Sequence, residues 1–317
     1  MKYVQIAQDR VSAIGLGAWQ FGAREWDWRE TSRDEAFRIV DRALELGINL
    51  IDTAELYGRG RSEELIGEAL KGKREKAWLA SKVFPVFPTP GRIHRAAVAS
   101  LARLKTSTLD LYQLHFDNPL VPLSMQMRGM KNLQAEGLIR HAGVSNFKLD
   151  RWRRAEEDFG GPVLSNQVQY HLLKRSAEEM FDWARAEGRL VIAYSPLAQG
   201  LLSGRHSADH LPSDVRRFNP LFTRRNIENA MPVVEALREI ARVHGATPSQ
   251  VALAWVIRGP NVVAIPGAKT VQQLEENAAA ADLTLSRDES ARLDHVSGMF
   301  SRSRLKEFLE LPGRLLR

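Results

Sequence analysis

Four residues of this chain carry side chains that could together deliver a proton to a carbonyl group: Asp52, Tyr57, Lys82 and His115. A tyrosine phenol has an unperturbed pKa of about 10, and an ammonium group within ~4–6 Å lowers it. A carboxylate such as Asp52 would keep Lys82 charged and in place. A neutral His115 could hydrogen-bond a substrate oxygen and fix its approach. The combination indicates the reduction of aldehydes or ketones.

Asp52, Lys82 and His115 each end a short apolar run that is typical of a buried strand, and Tyr57 follows the first of these runs. Eight such runs alternate with amphipathic segments, at 13–17, 50–52, 77–82, 109–115, 139–145, 164–167, 190–194 and 262–265. Runs of this kind are expected of parallel strands that are covered on both faces. Eight β/α units favour a closed (β/α)8 TIM barrel over an open sheet, and the carboxyl ends of barrel strands share one rim. We therefore expect the four residues to converge.

Three stretches depart from this repeat. Residues 1–12 predict a short β-hairpin that precedes the first barrel strand and covers the bottom of the barrel. Residues 198–230 form a long connection after the seventh strand, where it would lie on the catalytic face. The basic, amphipathic tail at 298–317 is typical of a surface helix. No linker divides the chain, so we expect a single domain over 1–317.

Several helix starts are indicated by capping patterns. The S-x-x-E sequences at 32–35, 176–179 and 286–289 predict capping boxes, in which side chains satisfy free amides of the first turn. The sequence T-P-S-Q at 247–250 predicts another helix start, with proline at the first helical position. Gly47 suits a left-handed helix C-terminus before the second strand.

Composition sets limits on the class of protein. The 317 residues are 44% hydrophobic and 26% charged, as in soluble globular proteins. The absence of cysteine excludes disulfides, thiolate zinc sites and a cysteine nucleophile. Charges appear too early for a secretory signal, and no apolar run approaches the roughly 20 residues that span a bilayer. We expect a cytoplasmic protein with no membrane partner.

The formal net charge is +7, from 45 Lys and Arg residues against 38 Asp and Glu residues. The basic residues are scattered, and no groove-reading motif or base-stacking platform accompanies them. We therefore expect no nucleic-acid partner and attribute the charge to a solvated surface and a site for an anionic cofactor. His206 and His210 have the spacing of helical metal ligands, but they lie in a loop beside prolines. No metal site is expected there.

Many segments of the chain, in their order and spacing, resemble the aldo-keto reductase family over nearly the whole length. They are G-L-G-A-W (15–19), D-T-A-E-L-Y-G (52–58), A-S-K-V (80–83), D-L-Y-Q-L-H (110–115), G-V-S-N-F (143–147), N-Q-V-Q-Y (166–170), A-Y-S-P-L-A-Q-G-L-L-S-G (193–204), T-P-S-Q-V-A-L-A-W (247–255) and A-I-P-G-A-K (264–269). The long segment after the seventh strand and the ending G-A-K-x-x-x-Q-L-x-x-N are similar to the bacterial and potassium-channel β-subunit-like branches.

The resemblance implies a role for each of the four residues. Tyr57 would be the general acid, Lys82 the modulator of its pKa, Asp52 the partner of the lysine, and His115 the group that orients the carbonyl. Relatives that reduce steroid double bonds carry glutamate at the position of His115, so histidine favours carbonyl reduction or alcohol oxidation in reverse. The family usually forms monomers, and we expect the same here.

The resemblance also implies a nicotinamide cofactor that is held without a Rossmann fold, since no G-x-G-x-x-G sequence occurs. The matching positions are Gly17 and Trp19 after the first strand; Ser145, Asn146 and Gln167 at the nicotinamide amide; Tyr194 stacked on its ring; Ser195, Leu197, Gln199, Gly200, Arg205 and Arg216 around the pyrophosphate; and Gly267, Lys269, Gln273, Glu276 and Asn277 at the adenosine end. Lys269 is the expected partner of a 2′-phosphate. The family's better-known pattern has lysine two positions earlier and arginine in place of Gln273. NADPH is therefore expected, with NADH possible.

Aromatic residues of the rim predict the substrate pocket: Trp19, Trp28, Phe84 and Phe116. Such walls suit hydrophobic or extended carbonyl compounds, although a role as loop anchors explains these residues equally well. Two other functions stay open at this point. One is a cofactor-sensing regulatory subunit with slow turnover. The other is a barrel lyase or isomerase acting on a phosphorylated substrate, which leaves the pairing of Tyr57 with Lys82 and the position of Tyr194 unexplained.

Overall fold

Eight parallel strands form the central sheet of the protein. The computed structural model describes residues 1–26, 31–207, 211–212 and 214–302. An antiparallel hairpin of β1 (Tyr3–Ile6) and β2 (Asp9–Ser12) precedes this sheet. The eight strands of the sheet are β3 (Leu16–Gly17), β4 (Leu50–Asp52), β5 (Trp78–Val83), β6 (Leu109–Leu114), β7 (Ile139–Ser145), β8 (Ser165–Gln169), β9 (Leu190–Tyr194) and β10 (Val262–Ile265). From β3 to β10 each strand pairs in parallel with the next one along the chain.

Backbone hydrogen bonds join the first and last strands of this sheet and close it into a barrel. The amide of Gly15 donates to Ala264 at 2.7 Å, and the amide of Gly17 donates to Pro266 at 3.1 Å. A Cβ atom on Gly17 would lie 2.7 Å from the carbonyl oxygen of Ile265, so glycine is what allows the strands to approach here. The predicted TIM barrel is confirmed.

Helices cover the barrel and connect its strands. They are α1 (Arg33–Glu45), α2 (Arg61–Ala69), α3 (Pro90–Leu104), α4 (Leu123–Ala135), α5 (Leu149–Phe159), α6 (Phe181–Ala186), α7 (Arg224–His244), α8 (Pro248–Val256), α9 (Val271–Ala279) and α10 (Arg287–Met299). The long connection after β9 ends at Thr223, whose hydroxyl accepts the amide of Asn226 and caps α7. The predicted range 198–230 therefore extends too far into this helix. Of the predicted tail at 298–317, residues 303–317 lie outside the described part of the chain.

The capping patterns are confirmed at some helix starts and wrong at one. Thr247 with Gln250 and Ser286 with Glu289 form complete capping boxes at α8 and α10, and Ser32 caps α1. Ser176 instead begins a short 3₁₀ segment that has no side-chain cap. No helix within the described ranges combines the length and apolarity that crossing a membrane requires.

The strands present two layers of side chains to the barrel interior, because residues two apart on a strand share a face. The lower layer is apolar and includes Leu50, Ala80 and Leu111. Two residues further along the same strands stand the polar side chains of Asp52, Lys82 and Gln113, all buried. The interior thus changes from apolar to polar toward the carboxyl ends of the strands.

The N-terminal hairpin of β1 and β2 closes the lower end of the barrel. Val4, Ile6 and Val11 are buried against the apolar interior layer. Asp9, at the start of β2, accepts hydrogen bonds from Trp78 Nε1 at 3.2 Å, from His141 Nε2 at 2.8 Å and from Arg140. This carboxylate therefore ties the hairpin to β5 and β7.

Replacing Asp9 by asparagine should lower the free energy of unfolding by about 2 kcal/mol near neutral pH, because Arg140 loses a buried partner. Burial raises the pKa of Asp9, but the hydrogen bonds from Trp78, His141 and Arg140 outweigh it and hold that pKa below 3.8. A carboxyl group whose pKa is lower in the folded than in the unfolded state stabilises the fold at pH values above its unfolded-state pKa. This stabilisation is lost as the pH falls through the folded-state pKa. Urea unfolding should show the difference between D9N and wild type shrinking as pH falls below about 4, the unfolded value for aspartate. A difference independent of pH would contradict this assignment.

Candidate active site

The Lys82 ammonium group connects the predicted catalytic residues. Its Nζ atom lies 2.6 Å from Asp52 Oδ1, 2.9 Å from the carbonyl oxygen of Thr53 and 3.3 Å from Tyr57 Oη. An ammonium group has three donors, so these contacts use all of them. Lys82 and Asp52 are almost completely buried, at 0% and 1% exposure. The structure therefore brings Asp52, Tyr57 and Lys82 together as the sequence predicts.

Two glutamine side chains hold the second oxygen of Asp52. Gln167 Nε2 on β8 lies 2.8 Å from Oδ2, and Gln113 Nε2 on β6 lies 3.4 Å from it. The family resemblance predicts Gln167 at the cofactor amide, whereas Gln113 was not predicted as a site residue. The period of two along β6 was the available signal, since Gln113 precedes His115 by two residues and shares its face.

Burial and charge act in opposite directions on the pKa of Tyr57. Burial raises this pKa, the positive charge of Lys82 lowers it, and the negative charge of Asp52 raises it again, with a net increase. The lysine thus has the effect that the sequence predicts, but burial exceeds it, and the phenol is protonated at neutral pH. Burial lowers the pKa of Lys82, but the charges and hydrogen bonds of Asp52 and Tyr57 together raise it by more, so the lysine is charged.

His115 is a neutral imidazole at the end of β6. Burial, with a smaller contribution from the charge of Lys82, lowers the pKa of His115 to about 3. Its ring stacks on Phe116 with centroids 4.8 Å apart, and it meets the ring of Tyr57 edge-on at 5.9 Å. Within the described residues its buried Nδ1 atom has no hydrogen-bond partner.

A cavity of about 640 Å³ opens above these residues at the carboxyl ends of the strands. Asp52, Tyr57 and His115 line it, and Lys82 lies behind its wall. Every residue that the family resemblance assigns to the cofactor also lines this cavity, from Gly17 and Trp19 to Asn277. Gln20 and His206 line it as well and were not predicted. The cavity therefore runs from Tyr57 to the predicted adenosine end.

The predicted nicotinamide end of the cavity has a network of polar side chains. Tyr194 Oη donates to Asn146 Oδ1 at 2.9 Å, and Asn146 Nδ2 donates to Ser145 Oγ at 3.0 Å. Asn146 has a left-handed backbone, with φ of 61°, which turns the chain at the end of β7. Burial raises the pKa of Tyr194 to about 12, so its hydroxyl donates this hydrogen bond at neutral pH.

The connection after β9 curves around the middle of the cavity. Ser195, Ala198, Gln199 and Gly200 all have positive φ angles, between 50° and 96°. Further along this connection, the guanidinium group of Arg216 reaches back and donates to the carbonyl oxygen of Gln199 at 3.4 Å. This strained turn is where the predicted pyrophosphate residues lie.

The predicted adenosine end is organised around the start of α9. Gln273 Oε1 accepts the backbone amide of Lys269 at 2.8 Å, and Asn277 Nδ2 donates to the carbonyl oxygen of Gly267 at 3.3 Å. Arg205 lies 3.7 Å from Glu276. Burial, followed by the charge of Arg216, lowers the pKa of Lys269.

The predicted substrate pocket is only partly formed by the residues expected. Trp19 and Phe116 line the cavity. Phe84 contacts the rings of His115 and Phe116, each with centroids 6.3 Å apart, but does not line the cavity. Trp28 lies outside the described residues. Phe116 is 42% exposed, and the nearby loops after β4 to β6 expose Leu56, Phe87 and Leu120.

Metal-ligating side chains do not cluster in the described ranges, which contain no group of three or more suitable residues. His206 Nε2 lies 3.2 Å from Arg216 Nη1. His210, its partner in the sequence pattern, lies outside these ranges.

Comparisons with known proteins agree with this geometry. Residues 13–297 match the Aldo/keto reductase family. The chain belongs to this family of oxidoreductases, as its motifs predict. It is 50% identical over 289 residues to an uncharacterized oxidoreductase of Mycobacterium tuberculosis, a match that covers 90% of each chain.

Two further relatives are named for an activity or for a bound ligand. The methylglyoxal reductase YeaE of Escherichia coli is 36% identical over 296 residues, which cover 92% of this chain and 94% of that protein. The crystal structure of an aldo-keto reductase from Klebsiella pneumoniae in complex with NADP and acetate is 34% identical and superposes with a TM-score of 0.78. That match covers 93% of this chain and 95% of the other.

Replacing Asp52 by asparagine should lower the free energy of unfolding by about 3 kcal/mol, because Lys82 is left buried without a counter-charge. Asp117 offers a control, since it forms a two-point ion pair with Arg151 at 2.9 Å in which both side chains are about one third exposed to solvent. D117N should cost less than about 1 kcal/mol. Chemical denaturation of both variants measures the contrast, and equal losses would contradict the special position of the buried pair.

Proposed function

We propose that this protein is an NADPH-dependent reductase of aldehydes and ketones in which Tyr57 donates the proton. One observation carries the proposal: a protonated phenol in contact with a buried, charged lysine, beside a neutral histidine, at the end of a long cavity lined by cations. A structural ion pair would explain Asp52 and Lys82 alone. It would not explain why Tyr57 and His115 face the same cavity.

The residues present fit a dinucleotide phosphate. Arg205, Arg216 and Lys269 bring three cationic side chains to the far part of the cavity, which suits a polyanion. Ser145 and Asn146 offer polar atoms at the near end, where Tyr194 lies, and they would hold the carboxamide. The related Klebsiella pneumoniae structure with NADP supports this assignment. When bound, the coenzyme supplies the hydride.

The contacts of Tyr57 with Lys82 and His115 suggest a path for proton transfer. A carbonyl oxygen placed between Tyr57 Oη and the imidazole of His115 receives the phenolic proton. The phenolate that remains lies 3.3 Å from the Lys82 ammonium group, and this attraction stabilises it. Asp52 keeps Lys82 charged throughout. Burial makes the phenol a weak acid in the resting site, and the lysine acts most strongly as negative charge develops on the phenol.

His115 serves as a neutral hydrogen-bond donor to the substrate. An N–H group at its buried Nδ1 would have no acceptor among the described residues, and a buried unpaired donor is costly. The proton therefore belongs on Nε2, the ring nitrogen left to meet the carbonyl oxygen. A protonated imidazole is disfavoured by burial and by the nearby charge of Lys82.

The substrate side of the cavity favours carbonyl compounds with an apolar substituent. Phe116 is partly exposed beside His115, and Leu56, Phe87 and Leu120 continue an apolar surface over neighbouring loops. Apolar and aromatic walls with few polar groups are typical of small-molecule sites. These side chains lie on loops, so they select the substrate without entering the proton-transfer contacts.

Tyr57→Phe should reduce carbonyl reduction at least about 100-fold while the affinity for NADPH stays within about twofold, since only the proton donor is lost. The rate is measured by the absorbance of reduced nicotinamide against a panel of aromatic, aliphatic and polar carbonyls. Affinity is measured by quenching of protein fluorescence, to which Trp19 contributes in the cavity wall. Full activity of the variant would refute the mechanism. Tight NADPH binding by the wild type without any turnover would favour a cofactor-sensing role instead.

The pH dependence should show no titration of His115 near neutrality. Because its pKa lies at about 3, the imidazole stays neutral from about pH 5 to about pH 8 and is protonated only in stronger acid. The ratio of kcat/KM between wild type and H115Q should therefore be constant across this range. An inflection in that ratio near about pH 6.5, the unperturbed value for histidine, would show that the ring is not desolvated as described.

A further inference from the structure

His206 lies on the connection after β9 and lines the cavity, but the family resemblance assigns it no role. Its Nε2 atom lies 3.2 Å from Arg216 Nη1, and its ring meets Phe222 edge-on with centroids 5.3 Å apart. The contact with Arg216 borders Gly200, where a Cβ atom would lie 3.5 Å from Arg216 Nη1 and 3.8 Å from His206 Nε2. The imidazole is therefore held beside the positive-φ turn where the predicted pyrophosphate residues lie.

Asp214 fixes the guanidinium group that faces this imidazole. Its carboxylate accepts Arg216 Nε at 2.9 Å and Arg216 Nη2 at 2.7 Å, which is a bidentate pair. Arg216 Nη1 donates to the carbonyl oxygen of Gln199 at 3.4 Å and meets His206 Nε2. A guanidinium group has five N–H donors. Most of them are committed to groups of the chain itself, which leaves Arg216 little capacity to bind a phosphate.

The contact with Arg216 determines which nitrogen of His206 carries the proton. A guanidinium group only donates, so His206 Nε2 accepts. Burial, followed by the charge of Arg216, lowers the pKa of His206 against the opposing charge of Asp214, and the imidazole is neutral at pH 7. Its single proton therefore lies on Nδ1. Among the described residues His206 makes no hydrogen bond besides that with Arg216, so no protein group there accepts the Nδ1 proton.

An N–H donor beside a guanidinium group suits an anion. Hydrogen bonds in a chain polarise one another, so the bond from Arg216 to Nε2 strengthens the donor at Nδ1. The positive charge of Arg216 attracts an anion and repels a metal ion from the same imidazole. The structure thus favours an anionic ligand at His206 over the metal that its sequence spacing with His210 would suit.

We propose that His206 is a phosphate-binding residue of the coenzyme site, and that its Nδ1–H group donates to the pyrophosphate. Asp214 orients Arg216, and Arg216 in turn orients the imidazole. Because NADPH and NADH both carry the pyrophosphate, this contact strengthens the binding of both and leaves the preference between them unchanged. The inference rests on the proposed coenzyme-dependent function and adds a contact to that site.

Two substitutions isolate the donor at Nδ1. His206→Phe keeps the ring that meets Phe222 but carries no nitrogen. His206→Asn places an amide nitrogen close to the position of Nδ1, since both atoms are bonded to Cγ, and it has no group at the position of Nε2. Both variants therefore lose the contact with Arg216, and H206N alone keeps the donor. A role confined to holding Arg216 predicts equal losses in the two variants.

Dissociation constants of NADPH and NADH are measured by fluorescence quenching in phosphate-free buffer. H206F should weaken both coenzymes about tenfold, the effect of one hydrogen bond to a charged group, whereas H206N should stay within about threefold of wild type. At saturating NADPH, kcat and the KM for the carbonyl should be unchanged in H206F, because a pyrophosphate contact is equally strong in the ground state and the transition state. His94 pairs with Glu136 on the exposed surface, and the control H94F should match wild type.

Fragments of the coenzyme locate the contact. 2′-Phospho-ADP-ribose retains the pyrophosphate and lacks the nicotinamide, so calorimetry should show the same loss of affinity in H206F as NADPH does. Adenosine 2′-phosphate lacks the pyrophosphate, and its affinity should be the same in H206F and wild type. Equal weakening of adenosine 2′-phosphate and NADPH would show that His206 acts elsewhere in the site and would overturn the inference.

The outcomes separate this inference from the proposed function. Wild-type affinity in H206F, or equal losses in H206F and H206N, overturns the inference alone when the wild type binds both coenzymes. A wild type that binds neither coenzyme overturns both. Thermal unfolding followed by circular dichroism identifies a variant that has lost its fold. H206L, which lacks the donor, then replaces H206F, and H206S, which has a hydroxyl donor, replaces H206N.

Discussion

The ion pair between Asp52 and Lys82 is the interaction on which the site depends. Moving two charges from water into a protein interior costs several kcal/mol per ion, and mutual attraction offsets this only when the other donors and acceptors are also satisfied. Lys82 meets a backbone carbonyl and a phenol in addition to its partner, and Asp52 meets the amides of Gln113 and Gln167. These groups come from β4, β5, β6 and β8 and from the turn after β4. The pair is therefore satisfied only when the barrel is assembled in its native register.

The register matters because the barrel interior is divided into two layers. Side chains two residues apart share a face, so Leu50 and Asp52 both point inward, one to the apolar layer and one to the polar layer. A shift of one residue on any of these strands would exchange its inward and outward faces. It would place an apolar side chain against Lys82 or a charge in the lower layer. The apolar layer and the hairpin below it thus specify the alignment that the polar layer requires.

The features that follow from periodicity could be predicted from the sequence, and those that depend on particular pairings could not. The apolar runs predict the buried strands and their order along the chain. The barrel geometry then predicts that the residues at the strand ends lie close together. Ser176 carries the same pattern as Ser286 but does not cap a helix, because the segment after it folds as a 3₁₀ turn. The hydrogen bond from Gln167 to Asp52 joins β8 to β4 across the barrel, and no pattern along the chain gives the distance between these two strands. The bond of Asp214 to Arg216 lies within a loop that has no repeating pattern.

The site divides into a part on strand ends and a part on loops, and the two carry different functions. The proposed proton-transfer contacts join the partly buried Tyr57 to Asp52, Lys82 and His115, which are buried at or beside the ends of barrel strands. We therefore expect a substitution of one of these three to alter stability and chemistry together. Phe116 and Asp214 lie on connections after β6 and β9, are partly exposed, and can change without disturbing the buried pair. We therefore expect substrate preference to be able to differ between this chain and a relative such as the Escherichia coli methylglyoxal reductase, at 36% identity, while the buried pair stays the same.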